Sequence, residues 1–346
     1  MARRAEAAIA GSDRSVADLG EWGIIGALRG RMPPGPLTTV GIGDDAAVVT
    51  TPSGSVVAAV DMLLEGRHFL LDRTPAYDIG VKAAARSLAD IAAMGAVNTA
   101  LLVALAAPGT LPASWATSLA DGIAAEATRA GAGVAGGDTA SADLVMLSVT
   151  ALGDLEGRAP VLRSGARPGD LVALAGPLGR SAAGLALLDT GLGDGAPAHQ
   201  DLVSAHLRPA PPYEAGPEAA LLGATAMIDI SDGLVADLGH VADASGVQVD
   251  IRGAALESGR LVTAAKSVLA ARAPTGTGDA STGPTAAGLA LTWVLTGGED
   301  HSLVATFPAS VTLPARWRVI GEVRSGTGVT VDGTPHAGAG GWQHFA

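Results

Sequence analysis

Gly41-Ile42-Gly43-Asp44-Asp45-Ala46-Ala47-Val48-Val49 places two adjacent aspartates between a glycine pair and an apolar run. Adjacent carboxylates repel, so two ionised aspartates in a tight turn require a cation beside or between them. Outward from this stretch the same chemistry recurs. Asp61 closes an apolar run, and Asp90 sits in a helical pattern. Gly136-Gly137-Asp138-Thr139, Asp229-Ile230-Ser231-Asp232-Gly233 and Gly297-Gly298-Glu299-Asp300 all read as turns. Six acidic stations, most at predicted element ends, point to one convergent polyanionic site.

The chain is long enough, at 346 residues, for two ordinary domains with a sizeable core. Hydrophobic residues make up 48% but aromatics only 3%, so Ala, Val, Leu and Ile must build that core. The 48 glycines, with so much alanine, predict closely packed helices and glycine turns. A net charge of −12 argues against an electrostatic nucleic-acid binder, but leaves room for a phosphate ligand bridged by metal. The absence of cysteine removes disulfides, thiolate zinc sites and Cys nucleophiles together. Met1 to Ser15 has no apolar core of signal-peptide length, and the longest apolar run, Leu101 to Ala107, is too short to span a bilayer. The expectation is a cytoplasmic protein with no membrane partner.

The pattern along the chain mixes strands and helices in both halves. Residues 15–28 read as an amphipathic helix. Ala46–Thr50 and Val56–Val60 read as a hairpin that puts Asp44, Asp45 and Asp61 at one end of a sheet. Tyr77–Met94 reads as a helix with Asp78 as its cap, and Asp90 shares a face with Arg86 and Lys82 by i, i+4 spacing. Thr99–Ala106 and Leu144–Leu152 are strand candidates, and Ser114–Ala130 is a helix. A polar Gly/Pro-rich stretch at 153–169 sets the predicted boundary, giving domains 1–153 and 154–346. Beyond it, Leu171–Ala175 and Ala226–Ile230 read as strands, and Leu289–Leu295, Ser302–Phe307 and Val319–Glu322 complete an α+β pattern. Ser181–Leu188 and Leu234–Ala244 read as helices, and 273–287 as a solvated insertion. The fold class is α/β (α+β) in two domains.

No Gly-Lys pair exists, so a Walker-type phosphate loop is excluded. Gly131-Ala132-Gly133-Val134-Ala135-Gly136 matches a dinucleotide fingerprint literally, but it follows a helix instead of a strand. Nucleotide phosphates would then be held through Mg²⁺, which takes a few carboxylate oxygens and fills its remaining positions with water and phosphate. Each residue also has a plain reading. An Asp after Gly forms turns. Asp90 pairs with Arg86 on a surface. Ser231 caps a helix. His68 is structural, and Trp342 covers a core edge.

Taken together, Gly41–Val49, Asp61–Phe69 (DMLLEGRHF), Leu88–Ala96 (LADIAAMGA), Gly136–Thr139 (GGDT), Arg163–Asp170 (RSGARPGD), Ala226–His240 (AMIDISDGLVADLGH) and Thr296–Asp300 (TGGED) resemble the thiamine-monophosphate kinase family. This family belongs to the superfamily of aminoimidazole ribonucleotide synthetase and selenophosphate synthetase. Seven runs in the right order are highly specific, and they cover nearly the whole chain. The resemblance implies a synthetase-like fold. Its N-terminal mixed sheet would pair with that of a second subunit in a homodimer, and its C-terminal α/β domain would close over the nucleotide. It implies transfer of the ATP γ-phosphoryl group to thiamine monophosphate, with several Mg²⁺ ions. By carry-over, Asp45 (with Asp44 open), Asp61, Asp90, Asp138, Asp229 and Asp232 are metal ligands, and Asp90 and Asp229 are catalytic. Gly137, Asp138, Arg163 and Ser231 contact ATP. His68, Glu299 and Trp342 contact the thiamine substrate.

Three departures stand out. Ala59 and Val60 precede Asp61 where the family places two hydroxyl residues, Ser87 stands where Asn is common, and His301-Ser302 replaces Tyr-Glu. They keep two rivals in view: an enzyme of the same superfamily with another acceptor, and a paralogue that binds nucleotide or thiamine phosphate with little or no turnover.

Overall fold

The computed structural model describes residues 14–42, 46–273, 284–336 and 340–342, apart from the side chains of Glu21 and Trp22. Asp44, Asp45 and most of the 273–287 insertion lie outside the described residues. The chain divides into two compact units, Met1–Ala159 and Pro160–Ala346.

In the first unit Ser15 caps helix α1 (Val16–Arg29) with a reciprocal capping box to Asp18. A short pair, β1 (Thr38–Val40) and β2 (Val48–Val49), stands apart from a four-stranded mixed sheet. That sheet contains β3 (Val57–Leu64), β4 (Val97–Ala107), β5 (Gly133–Ser141) and β6 (Met146–Asp154), in the order β3-β6-β4-β5. Only the β4–β5 pair is parallel. Helices α2 (Ala76–Ala93) and α3 (Ala113–Arg129) pack against each other and cover one face. Small residues allow this. A Cβ at Gly80 would fall 2.1 Å from the Leu119 carbonyl oxygen, and one at Gly122 would fall 2.0 Å from that of Tyr77. Either helix would have to back away from the other.

The second unit is built on a seven-stranded sheet. Its strands are β7 (Leu171–Ala175), β8 (Ala226–Asp229), β9 (Gln248–Ile251), β10 (Leu303–Phe307), β11 (Arg318–Arg324), β12 (Gly328–Val331) and β13 (Thr334–Pro335). The order is β13-β12-β9-β11-β7-β10-β8, antiparallel except for β12 with β9. Helices α4 (Arg180–Asp189), α5 (Pro197–Leu207), α6 (Ala215–Leu221), α7 (Leu234–Ser245), α8 (Val262–Arg272) and α9 (Ala286–Thr296) complete the unit. Leu174, Ile228, Val249 and Ile320 from the strands and Leu187, Leu238, Val268 and Val294 from the helices form one apolar core, built with few aromatics as composition requires.

Several expectations need correction. The hairpin of 46–60 does not form. Val48-Val49 pairs backward with Thr38–Val40, while β3 pairs with β6 over eight residues, Val57↔Gly153 to Leu64↔Met146. A two-residue strand cannot compete with that ladder. Asp61 is therefore mid-strand, not at a strand end. Gly136–Thr139 is likewise not a turn. It runs inside β5, after a register shift opposite Leu101/Leu102, and the ladder to β4 overrides the glycines. Asp78 is a buried residue of the first turn of α2, and Pro75 holds the cap position. Sequence patterning also missed α5, α6 and α8. In α8, VTAAKSVLAAR carries no apolar stripe of helical period, so packing decides it. Among the described residues no helix is long and apolar enough to cross a membrane.

Candidate functional site

In the first unit strand alternation sorts the acidic face from the open one. Val57, Ala59, Asp61 and Leu63 turn toward α2, while Ala58, Val60, Met62 and Leu64 turn away and are exposed. Asp61 receives a 3.1 Å hydrogen bond from Ser87 Oγ, and Arg86 Nη2 lies 3.9 Å from its other oxygen. Ser87 also donates to the Val149 carbonyl at 3.0 Å, so it ties α2 to β6 as well. Asp90 is half-buried and follows Ser87 by three residues, on the next turn of α2. Asp138 is exposed on β5, and its Oδ1 accepts the Thr139 N–H at 2.8 Å. The cross-strand row through Asp61 runs Asp61–Val149–Val103–Gly137, and Asp138 belongs to the next row, on the opposite face. Three strand spacings separate the two, about 14 Å. Within one chain Asp61 and Asp138 cannot share an ion.

Gly136–Thr139 borders a cleft of about 930 Å³, whose apolar wall includes Leu28, Met32 and Leu119. His68 is half-buried in the loop after β3. Its Nδ1 accepts the Leu64 N–H at 3.0 Å, which fixes that nitrogen as unprotonated.

The second unit organises its acidic groups around a loop. Asp229, the last residue of β8, is 3% exposed, and its Oδ2 is 3.1 Å from His301 Nδ1. His301 Nε2 is buried and has no hydrogen-bond partner among the described residues. Ser231 and Asp232 follow, both half-buried. Ser231 is not the cap of α7. Gly233 holds that position without a side-chain bond, and Asp237 reaches back from the first turn instead. Its Oδ2 accepts the N–H groups of Ser231, Asp232 and Gly233 at 3.0, 3.1 and 3.0 Å. Burial pushes Asp237 up to about 7, the Asp229 charge pushes the same way, and the Gly233 and Asp232 amides pull it down.

Glu299 and His301 both have left-handed backbones, at φ 63° and 50°, which cost strain in a non-glycine residue. Their N–H groups donate to the carbonyls of Ser231 (2.8 Å) and Ile230 (2.9 Å), so the TGGED loop is sewn to the end of β8. Glu299 Oε2 lies 3.8 Å from His206 Nδ1, and that nitrogen is 3.0 Å from Ser181 Oγ. Asp300 is buried beneath, and its oxygens accept the Gly179 and Ser181 N–H groups at 2.5 and 2.9 Å. Burial raises it to about 6 against those two bonds. Trp342 is 57% exposed, and its N–H donates to the Asp232 carbonyl at 3.0 Å. Arg163 is exposed on a loop that Ser245 Oγ holds through the Arg163 carbonyl at 3.1 Å.

The structure thus joins Asp61 with Arg86 and Ser87 beside Asp90, and joins Asp229, Ser231, Asp232, Glu299 and Trp342 through one backbone network. Sequence reasoning missed Asp237, His206 and Ser181. The spacing of Asp237 from Gly233 was a usable signal, because a first-turn acid lies near the free amides of a helix start. Among the described residues no three His, Asp or Glu side chains converge to hold a metal unaided. The donors present are carboxylates without thiolates, from buried Asp229 to exposed Asp138. Such a set suits Mg²⁺ that shares its coordination with phosphate and water, not a closed protein cage.

Two family models match the chain. The AIR synthase related protein N-terminal domain covers residues 43–155, and the corresponding C-terminal domain covers 167–268. A thiamine-monophosphate kinase of Mycobacterium tuberculosis is 48% identical over 94% of this chain and 92% of its own length. The solved thiamine-monophosphate kinase of Stenotrophomonas maltophilia superposes with a TM-score of 0.74 at 31% identity, covering 89% of this chain and 95% of its own. AaThiL, solved in complex with AMPPCP and TMP, gives 0.73 at 31% identity, covering 95% of this chain and 98% of its own. On those matches the chain belongs to the thiamine-monophosphate kinases, within the AIR synthase related family.

Proposed function

We propose that this chain transfers the γ-phosphoryl group of ATP directly to thiamine monophosphate, giving thiamine diphosphate and ADP. One observation supports the reading best. The Ser231–Asp232 turn, carried over as the ATP and metal side, accepts at its carbonyls the N–H groups of Glu299 and Trp342, carried over as the thiamine side. The relatives agree in kind, since AaThiL holds an ATP analogue and TMP together.

The chemistry asks little of general acids and bases. The acceptor is a phosphate oxygen already ionised at neutral pH, so no strong base is required. Catalysis becomes positioning plus charge neutralisation. Asp45, Asp61, Asp90, Asp138, Asp229 and Asp232 would hold Mg²⁺, which supplies neutralisation of the facing phosphates. Gly137 and Arg163 serve ATP, and Arg163 is exposed and suited to bidentate phosphate contact. The cleft beside Gly137 has room for a nucleoside. His68, by carry-over, contacts the thiamine substrate. The thiazolium is a permanent cation, for which exposed Trp342 offers a π face and Glu299 a charge.

The proposal includes a cytoplasmic homodimer. Its support is the apolar outer face of β3, where Val60 is 63% and Met62 48% exposed. Val60→Glu should shift the protein to monomer in size-exclusion chromatography with light scattering; an unchanged dimer would remove this face from the interface.

The test of the reaction is direct. Purified protein with ATP, Mg²⁺ and thiamine monophosphate should form thiamine diphosphate, and other phosphate acceptors should not replace it. Binding of ATP without turnover would favour the non-catalytic paralogue that Ala59 and Val60 motivate.

A further inference from the structure

The Ser231-Asp232-Gly233 turn is gripped from both sides. Below it, Asp237 is 2% exposed, and one of its oxygens takes three consecutive backbone N–H groups at 3.0, 3.1 and 3.0 Å. A carboxylate oxygen in such a nest forms charge-assisted bonds, and amides stripped of it in a half-buried turn would lose those partners. Above it, the carbonyls of the first two residues are also taken, Ser231 by the Glu299 backbone N–H (2.8 Å) and Asp232 by the Trp342 backbone N–H (3.0 Å). These contacts leave no slack. A Cβ at Gly298 would sit 2.5 Å from the Ser231 carbonyl oxygen, and one at Gly341 would sit 2.3 Å from that of Asp232. Any movement of the turn must therefore move Glu299 and Trp342 with it.

We propose that Asp237 is a positioning residue that sets the Ser231–Gly233 turn and, through its two carbonyls, holds the nucleotide side and the thiamine side of the site at once. The inference rests on the assignment of Ser231 and Asp232 to Mg·ATP and of Glu299 and Trp342 to thiamine monophosphate. Asp237 itself touches neither substrate. Its removal should weaken both substrates together, whereas a residue that contacts one substrate should weaken that one alone.

The experiment compares KM for both substrates in Asp237→Asn, Asp237→Ala, Asp232→Asn and Trp342→Ala, with amide hydrogen exchange over residues 231–233. Asparagine keeps one neutral carbonyl acceptor in place. Asp237→Asn should raise both KM values by about 3- to 10-fold, the effect of weakened charge-assisted bonding. Asp237→Ala should raise both further and speed exchange of the three amides. The two controls should separate: Trp342→Ala raises KM for thiamine monophosphate alone, and Asp232→Asn raises that for Mg·ATP alone. If Asp237→Ala does not fold, Asp237→Asn and its exchange rates carry the test. Controls that separate while folded Asp237 variants keep both KM values, or change only one, overturn the proposal and leave the functional reading standing. A lower melting temperature with unchanged KM values is the result of a merely structural aspartate and also overturns it. Controls that change neither KM sink the functional reading, and this proposal with it.

Discussion

In the first unit Asp61 and Asp90 stand on regular backbone, one in an eight-residue strand and the other in an eighteen-residue helix. Side chains, Arg86 and Ser87, orient Asp61. In the second unit Ser231, Asp232 and Glu299 stand on loops, and backbone N–H groups and carbonyls do the orienting, with two left-handed residues within three positions. The first arrangement resembles a rigid rack on which a carboxylate is changed without disturbing its support. The second is a woven loop, in which one altered acceptor propagates to several residues. The two regions should therefore respond differently to substitution: the first in turnover and metal affinity, the second in substrate affinity, pH dependence and order.

The largest effect should come from the rack. Asp90→Asn removes one proposed metal charge, and turnover should fall on the order of 10²–10³-fold, the usual size for loss of one preorganised electrostatic contact. The melting temperature should stay at the wild-type value, because α2 is held by its packed face. Activity near wild type would return Asp90 to a role as surface partner of Arg86.

Next is a pH effect in the woven loop. Asp300 is raised from 3.8 to about 6, chiefly by burial, so the folded state binds its proton more tightly than the unfolded state does. The stability this lends is present below about pH 4, fades as pH rises to 6, and is gone above that. Asp300→Asn should flatten the melting-temperature slope between pH 4 and 6, with a full span of at most about 3 kcal/mol. An unchanged slope would show that the loop does not feel this carboxyl.

Trp342→Ala should raise KM for thiamine monophosphate by roughly 3- to 30-fold, the range of one cation–π contact. It should leave stability alone, since the ring is 57% exposed. An unchanged KM would end the aromatic reading of the C-terminal segment. The smallest effect concerns the residues before Asp61. Ala59 shares the face of Asp61 and Val60 does not, so Ala59→Ser should raise Mg²⁺ affinity by a few-fold and Val60→Thr should not. Equal effects from both, in Mg²⁺ titrations of activity, would break the assignment of faces.

Much of the rack was legible beforehand. Helical spacing placed Asp90 with Arg86 and Lys82, and α2 carries them as expected. The alanine and glycine content announced close helix packing, which Gly80 and Gly122 realise. Strand pairing was less legible. Val48-Val49 and β3 looked like neighbours because a turn joins them, yet β3 finds its long ladder with β6, some ninety residues on. The GGDT run looked like a turn because glycine and aspartate favour turns locally, while parallel pairing to β4 draws it into a strand. The woven loop was legible only as a set of motifs. Nothing local says that Glu299 and Trp342 donate to the carbonyls of Ser231 and Asp232, because those bonds join segments far apart in sequence.

By itself the sequence determined the class of chemistry: acidic stations without cysteine or a phosphate-loop lysine, set in seven ordered motifs that name the family. It also determined which helices form wherever an apolar stripe of helical period exists. Tertiary structure alone decided which face of β3 Asp61 occupies, that Asp61 and Asp138 lie on opposite faces and opposite edges of one sheet, and that Asp237, not Ser231, secures the start of α7. The physical reason is the same in each case. Composition and local propensity select the donors and acceptors, but a hydrogen bond between distant segments forms only after packing has brought them within about 3 Å.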